Sequence, residues 1–197
     1  ALALAWVTAA FAQPAPSKRA QRQIQSRGFY VAIGGGGTSF NDLGKRSTGS
    51  FEFDPGYLAE ASLGYDLGNL RVEGEAHYLA TEIDRFRMGA TTLNSTGDLQ
   101  AGGGMLNLYY DFENHSPYTP YVGGGAGLEY VEIDDIIVGG VGLGGRRGAV
   151  LGWQASGGFS YRINRGYGVG LGYRFTVFEG EIDTEAHRIL LSARRYF

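Results

Sequence analysis

The strongest constraint on this chain is a strict two-residue alternation, sustained over segments too long for ordinary globular strands. Leu70, Val72, Gly74, Ala76 and Tyr78 fall on one side of a segment whose other side carries Arg71, Glu73, Glu75 and His77. Alternate side chains of a strand point to opposite faces, so this is a strand with one apolar and one polar face. The pattern recurs. Tyr57, Ala59, Ala61, Leu63, Tyr65 and Leu67 oppose Glu60, Ser62 and Asp66; Leu151, Trp153, Ala155 and Phe159 oppose Gln154, Ser156 and Ser160; Tyr167, Val169, Leu171, Tyr173 and Phe175 oppose Arg174 and Thr176. With segments near 28–40, 98–112, 117–133 and 185–197, eight strands are expected between Gly28 and Phe197. Most globular strands have about 5–6 residues, and these are longer. Tight turns at 66–69, 113–116 and 164–166 alternate with longer polar stretches at 41–55, 84–97, 134–148 and 179–184.

Eight two-faced strands close into a barrel, and composition decides which face is outside. A soluble barrel keeps its apolar face inward, around a ligand. Water-facing surfaces carry about 25–35% charged residues, whereas this chain has 19% in total, with a formal net charge of −3. The apolar face carries aromatic residues near strand ends, among them Tyr57, Tyr65, Tyr78, Tyr110, Phe112, Tyr130, Tyr161, Tyr167 and Phe175, as the two interfacial girdles of a membrane barrel do. The expected fold is therefore all-β, an eight-stranded antiparallel up-and-down transmembrane β-barrel with its apolar face in lipid. No apolar run is long enough for a transmembrane helix. The near-balance of charge gives no field for nucleic acid, and the absence of cysteine excludes disulfides and thiolate metal sites.

Residues 1–12 (ALALAWVTAAFA) form an apolar run ending in Ala10-Phe11-Ala12, a small-x-small pattern read as the cleavage end of a signal peptide whose start is missing. Residues 13–27 are polar and basic, expected as a periplasmic arm before a barrel at 28–197.

The segment Gly28-Phe29-Tyr30-Val31, the run from Tyr121 to Gly127 and Gly170-Leu171-Gly172-Tyr173-Arg174-Phe175 resemble the eight-stranded opacity-type and OmpA/OmpX-like outer-membrane barrels, the alphaproteobacterial "porin family" type. Phe197, with Ile189 and Leu191 upstream, is similar to the C-terminal assembly signal of such proteins. Arg195 departs from it, standing where an aromatic residue is usual, and is read as snorkelling to head groups. The resemblance implies residence in the bacterial outer membrane among lipid and lipopolysaccharide, insertion by the barrel assembly machinery, and periplasmic short turns.

The polar face supplies Glu60, Glu73, Glu75, His77, Glu129, Arg174, Arg188 and Arg194. Eight strands leave room only for side chains, so these charges are expected to pair as a network that plugs the lumen. In the loops, Asp134 and Asp135 beside Glu132 suit a solvated acidic root better than a cation site, and Arg146 and Arg147 could meet lipopolysaccharide phosphates. Gly140–Gly145 fits a dinucleotide fingerprint only as a string, with no following helix. His187 and Ser192 lie on opposite faces, which speaks against a nucleophile–base pair. No cofactor or metal is expected, and no enzymatic activity. The preferred reading is a closed structural barrel displaying four extracellular loops to a host or surface ligand. The alternatives are a small-solute pore or transport protein and, more weakly, a lipid A-modifying enzyme. Mass spectrometry of protein from the outer-membrane fraction should find a mature chain lacking residues 1–12; an intact N-terminal segment in a cytosolic fraction would contradict the export reading.

Overall fold

A computed structural model describes residues 27–40, 43–45, 49–53, 55–88, 91–96, 98–112, 114, 118–133, 137–138, 141–142, 144–179 and 184–197. The expected signal peptide, nearly all of the N-terminal arm, and Asp134 and Asp135 lie outside these residues. The described strands, in chain order, are β1 (Gly28–Phe40), β2 (Leu43–Lys45), β3 (Gly49–Phe53), β4 (Gly56–Asp66), β5 (Leu70–Met88), β6 (Thr91–Thr96), β7 (Asp98–Asp111), β8 (Tyr118–Ile133), β9 (Ile137–Val138), β10 (Val141–Gly142), β11 (Arg146–Arg162), β12 (Tyr167–Glu179) and β13 (Thr184–Tyr196).

Eight of them close a barrel in which every neighbouring pair is antiparallel. Its order is β4, β1, β13, β12, β11, β8, β7, β5 and back to β4. A walk across register partners leaves β4 at Gly56 and passes Thr38, Arg188, Arg174, Ser156, Gly123, Tyr109 and Arg71. It returns to β4 at Asp66, ten residues from its start. Closure with that stagger requires a strand tilt of about 40° and an interior only wide enough for side chains.

The faces follow the alternation. Ile33, Leu63, Leu106, Leu128, Phe159, Ile189 and Leu191 are exposed on the outer wall, an apolar surface that suits lipid rather than water. Exposed aromatics cluster at the two ends of this band: Phe29, Tyr65, Tyr110, Phe112, Tyr118 and Tyr167 toward the short turns, and Tyr57, Tyr78, Tyr130 and Trp153 toward the other end. Edge-to-face contacts hold two of the lower pairs, Phe29 with Tyr65 at 4.8 Å and Tyr110 with Phe112 at 5.1 Å. Inside, glycine makes room for its neighbours. A Cβ at Gly64 would collide with the Tyr30 ring, and one at Gly125 with the Asn107 amide. Glycines such as these belong to the wall of a narrow barrel, where the bulk of one strand needs a gap on the next.

One expectation is corrected. The stretches read as polar loops contain strand. β5 runs 19 residues, well past its last β7 partner at Glu82. Beyond it, β2 pairs β3, β3 pairs β5, β5 pairs β6, β6 pairs β9 and β9 pairs β10. Three long connections therefore join in one sheet rising above the band at the end opposite the short turns. The signal was present in segments such as Gly-Ser-Phe-Glu-Phe (49–53), which alternate, but the polar residues between them dominated the reading.

Leu106 lies midway between Tyr110 in the lower girdle and Gly102, whose register partners Tyr78 and Tyr130 belong to the upper one. Leu106→Arg should therefore cost about 2–4 kcal/mol of folding stability, and Gly148→Ala, where an added Cβ meets nothing within contact distance, close to none. Urea titration of both variants in lipid vesicles checks the assignment of faces.

Candidate functional site

The lumen is stacked in three layers. At the long-connection end, Phe40, Leu58, Leu79, Leu99, Ala101, Phe178, Ala186 and Leu190 form a buried apolar cluster. Below it lies a belt of charge. At the short-turn end come tyrosines and a second set of ion pairs.

Arg174, from β12, organises the belt. Its Nη1 donates to Glu60 Oε2 at 2.6 Å and to Glu75 Oε1 at 2.9 Å, so one guanidinium on β12 spans the lumen to β4 and β5. His77 stands between two carboxylates, with Nδ1 3.1 Å from Glu75 Oε1 and Nε2 2.7 Å from Glu129 Oε1. Carboxylates only accept hydrogen bonds, so Nε2 is the donor to Glu129, whose Oε2 it meets at 2.9 Å, whereas Nδ1 is close to Glu75 without being aligned for a hydrogen bond. Asn107 donates to Glu75 Oε2 at 2.8 Å and accepts from Gln154 Nε2 at 2.6 Å, which carries the network on to β7 and β11.

The lower layer is held independently. Arg71 donates to both carboxylate oxygens of Asp111, at 2.7 and 2.9 Å, in the bidentate geometry that suits a planar guanidinium. Arg162 Nη2 reaches Asp66 Oδ2 at 3.1 Å, and its guanidinium carbon lies 3.6 Å from the centre of the Tyr196 ring. The Tyr30 hydroxyl donates to Glu73 Oε2 at 2.6 Å.

All eight residues expected in the interior network do line the lumen, but they do not all meet. Glu60, Glu75, His77, Glu129 and Arg174 form one connected group. Glu73 pairs with Tyr30 instead. Arg188 is fully buried with its three nitrogens unmatched by any hydrogen-bond acceptor, and lies 5.6 Å from the Phe178 ring. Arg194 lies near the rings of Tyr30 and Tyr121, at 5.9 and 6.0 Å. Arg71, Arg162, Asp66 and Asp111 were missed as network members, although Arg71, Asp66 and Arg162 sit on polar faces that the alternation identifies. The apolar layer was missed as well, because Leu58, Leu79 and Leu190 extend a polar face with apolar residues once it leaves the charged belt. Six carboxylates, Glu60, Asp66, Glu73, Glu75, Asp111 and Glu129, share the lumen with five arginines, Arg71, Arg162, Arg174, Arg188 and Arg194, and with His77.

Little space is left. A cavity of about 20 Å³ lies among Glu60, Glu73, Tyr109, Arg174, Ser192 and Arg194, and one of about 50 Å³ lies near Asp66, Asp111, Arg162 and Tyr196. Cavities of this size have room for a water molecule or two, not for a solute.

Elsewhere, Arg146 and Arg147 begin β11 instead of lying in a loop, and Arg147 is the register partner of Glu132. His187 is half-buried on the outer wall with Nδ1 2.6 Å from the Tyr173 hydroxyl. Among the described residues no serine hydroxyl is hydrogen-bonded to it. Ser192 lines the inner cavity. Ile189, Leu191 and Phe197 are all exposed on the outer wall.

Comparison with known proteins agrees with this architecture. The family model for the outer membrane protein beta-barrel domain matches residues 2–197. A curated relative from Gluconacetobacter diazotrophicus, described as an outer membrane protein, is 34% identical over 119 residues, covering 51% of this chain and 32% of the relative. The matched region thus spans about a third of that relative's length. Among solved structures, Neisserial surface protein A is similar over 86% of this chain and 97% of its own, with TM-score 0.58 and 22% identity. OprG from Pseudomonas aeruginosa matches over 87% and 96%, with TM-score 0.57 and 15% identity. Ail, the attachment invasion locus protein of Yersinia pestis, solved in complex with the heparin analogue sucrose octasulfate, matches over 87% and 100%, with TM-score 0.55 and 11% identity. At these identities the likeness is one of fold.

Removing Arg174 leaves Glu60 and Glu75 facing each other without their shared cation. Arg174→Met should therefore destabilise the barrel by about 3–5 kcal/mol. Adding Glu60→Gln and Glu75→Gln to it should recover part of the loss. Thermal unfolding of the single and triple variants measures this, and strict additivity would show that the three residues do not act together.

Proposed function

The chain belongs to the outer membrane protein β-barrel family, and from that premise we propose that it is a closed membrane anchor whose task lies in the sheet above the bilayer, not in passage through its lumen. The observation that carries this reading is the Arg174 bridge from β12 to Glu60 on β4 and Glu75 on β5. A permeating solute would have to break that bridge and also part the apolar layer above it, where Leu58, Leu79, Phe178 and Leu190 meet. Charge alone can line a pore; charge paired across the lumen under a dry cap obstructs one.

In this reading the short turns are periplasmic and the joined sheet of β2, β3, upper β5, β6, β9 and β10 is extracellular. Pairing between three connections gives that sheet a fixed backbone, suited to presenting a surface to a host or environmental ligand. Ail, a barrel of the same fold, was solved holding a sulfated sugar, and a loop-borne ligand site is the corresponding reading for this chain. Lipid A modification is disfavoured because His187 is engaged by Tyr173 and, among the described residues, no serine hydroxyl is hydrogen-bonded to it.

Planar-bilayer recordings on the refolded protein test the proposal. The wild type should show no steady conductance steps. Long-lived open steps from wild-type protein would overturn the closed-barrel reading in favour of a small-solute pore.

A further inference from the structure

The lower rim is not uniform around the barrel. On the arc formed by β4, β1, β13 and β12, the exposed aromatics Tyr65, Phe29, Phe197 and Tyr167 are interleaved with exposed arginines. Arg27 lies against the β4–β5 turn, its Nε 3.3 Å from where a Cβ of Gly68 would stand. Arg165 occupies the β11–β12 turn. Arg195 projects from the outer side of β13, with its guanidinium carbon 4.5 Å from the centre of the Tyr167 ring and 5.9 Å from that of Phe197. The far arc carries Tyr110, Phe112, Tyr118 and Tyr161 with no described arginine or lysine among them.

Arg195 is the instructive residue. It stands on the lipid-facing side of a strand, inside the aromatic girdle, where an unneutralised charge is costly. At the lower end of this arc no side-chain carboxylate among the described residues faces outward: Asp66, at the end of β4, is turned inward onto Arg162, and Glu179 and Glu185 lie at the other ends of β12 and β13. The side chain is nevertheless held in place. Tyr167 supports its face, and the turn beneath is fixed by Asn164 Oδ1, which accepts from the backbone N–H groups of Gly166 at 2.9 Å and Tyr167 at 3.0 Å. A guanidinium stacked on a ring keeps its N–H edge available for a planar or tetrahedral oxyanion. At the depth of an aromatic girdle, the oxyanion within reach is the phosphodiester of a phospholipid, whose acyl chains lie against the apolar wall above.

We propose that this arc is a binding site for a phospholipid head group, with Arg195 as the phosphate ligand and Tyr167 as its support. Assignment to the periplasmic leaflet rests on the orientation proposed above; recognition of the phosphodiester does not. With no side-chain carboxylate of the described residues beside it on the lower rim, Arg195 favours an anionic lipid over a zwitterionic one.

The test uses the refolded full chain in a maltoside detergent, which carries no phosphate, with phosphatidylglycerol or phosphatidylethanolamine added and retained lipid counted by native mass spectrometry. The wild type should retain phosphatidylglycerol preferentially. Arg195→Gln should lower its retention about fivefold, and Tyr167→Leu, which leaves every charge in place, should lower it in the same direction. Arg147→Gln, at the opposite end of the barrel, should leave it unchanged. Inorganic phosphate at the same concentration should displace little lipid, because it lacks the acyl-chain contacts. Undiminished retention in Arg195→Gln, or equal competition by inorganic phosphate, would overturn the proposal. If Arg195→Gln does not fold, judged by heat-dependent gel migration, Tyr167→Leu decides alone: unchanged retention there refutes the stacked-guanidinium site. None of these outcomes depends on whether the lumen conducts.

Discussion

Backbone hydrogen bonding in a medium without water is the constraint on which the rest of the molecule depends. Inside a bilayer an unpaired amide or carbonyl costs several kcal/mol, and a sheet avoids having edges only by closing on itself. Here β1 meets β13 without a break from Tyr30↔Tyr196 to Phe40↔Ala186, so the seam between the first and last strands is closed. Eight strands staggered by ten residues make a narrow cylinder. Narrowness then dictates the interior. Long side chains fit only where their neighbours are small, as at Gly64 beside Tyr30 and Gly125 beside Asn107, and charged ones fit only in combination. The glycine content and the ion pairs are two results of one geometric choice.

That dependence explains which features could be read from the sequence. The strand count, the facing of Leu70 to Tyr78 and the lipid exposure of the apolar side are carried by local alternation, a property of each segment alone. The residues of the charged belt were identifiable on the same ground, since Glu60, Glu75, His77 and Arg174 lie on polar faces. Their partners were not identifiable, because pairing depends on register around the whole barrel. Glu73 and Glu75 are two residues apart on the same face, yet one bonds Tyr30 and the other Arg174. Alternation also has no way to show that a face changes character along its length, and Leu58 and Leu79 went unrecognised as lumen residues for that reason.

The vertical order of the lumen has its own logic. Polar groups buried at the lower end have small cavities near them, where water can complete their hydrogen bonding. Groups at the upper end meet Leu, Phe and Ala. Arg188 lies at the boundary and shows the difficulty of that position: its charge is balanced within the belt, but its donors are not matched.

The register places Arg174 directly opposite Arg188 on β12 and β13, and like charges facing across two strands weaken an isolated hairpin. The β4–β5 hairpin has the complementary problem, since it gathers Glu60, Glu73 and Glu75 around His77, while its lumenal arginine, Arg71, is bonded to Asp111 on β7. Neither hairpin is electrostatically content by itself, and the Arg174 bridge exists only when both stand in the same ring. A partly assembled sheet therefore lacks the reward of the finished one. Distributing opposite charges to distant hairpins makes ring closure an all-or-none event, so the native cylinder is separated by a wide energetic gap from the open sheets that precede it.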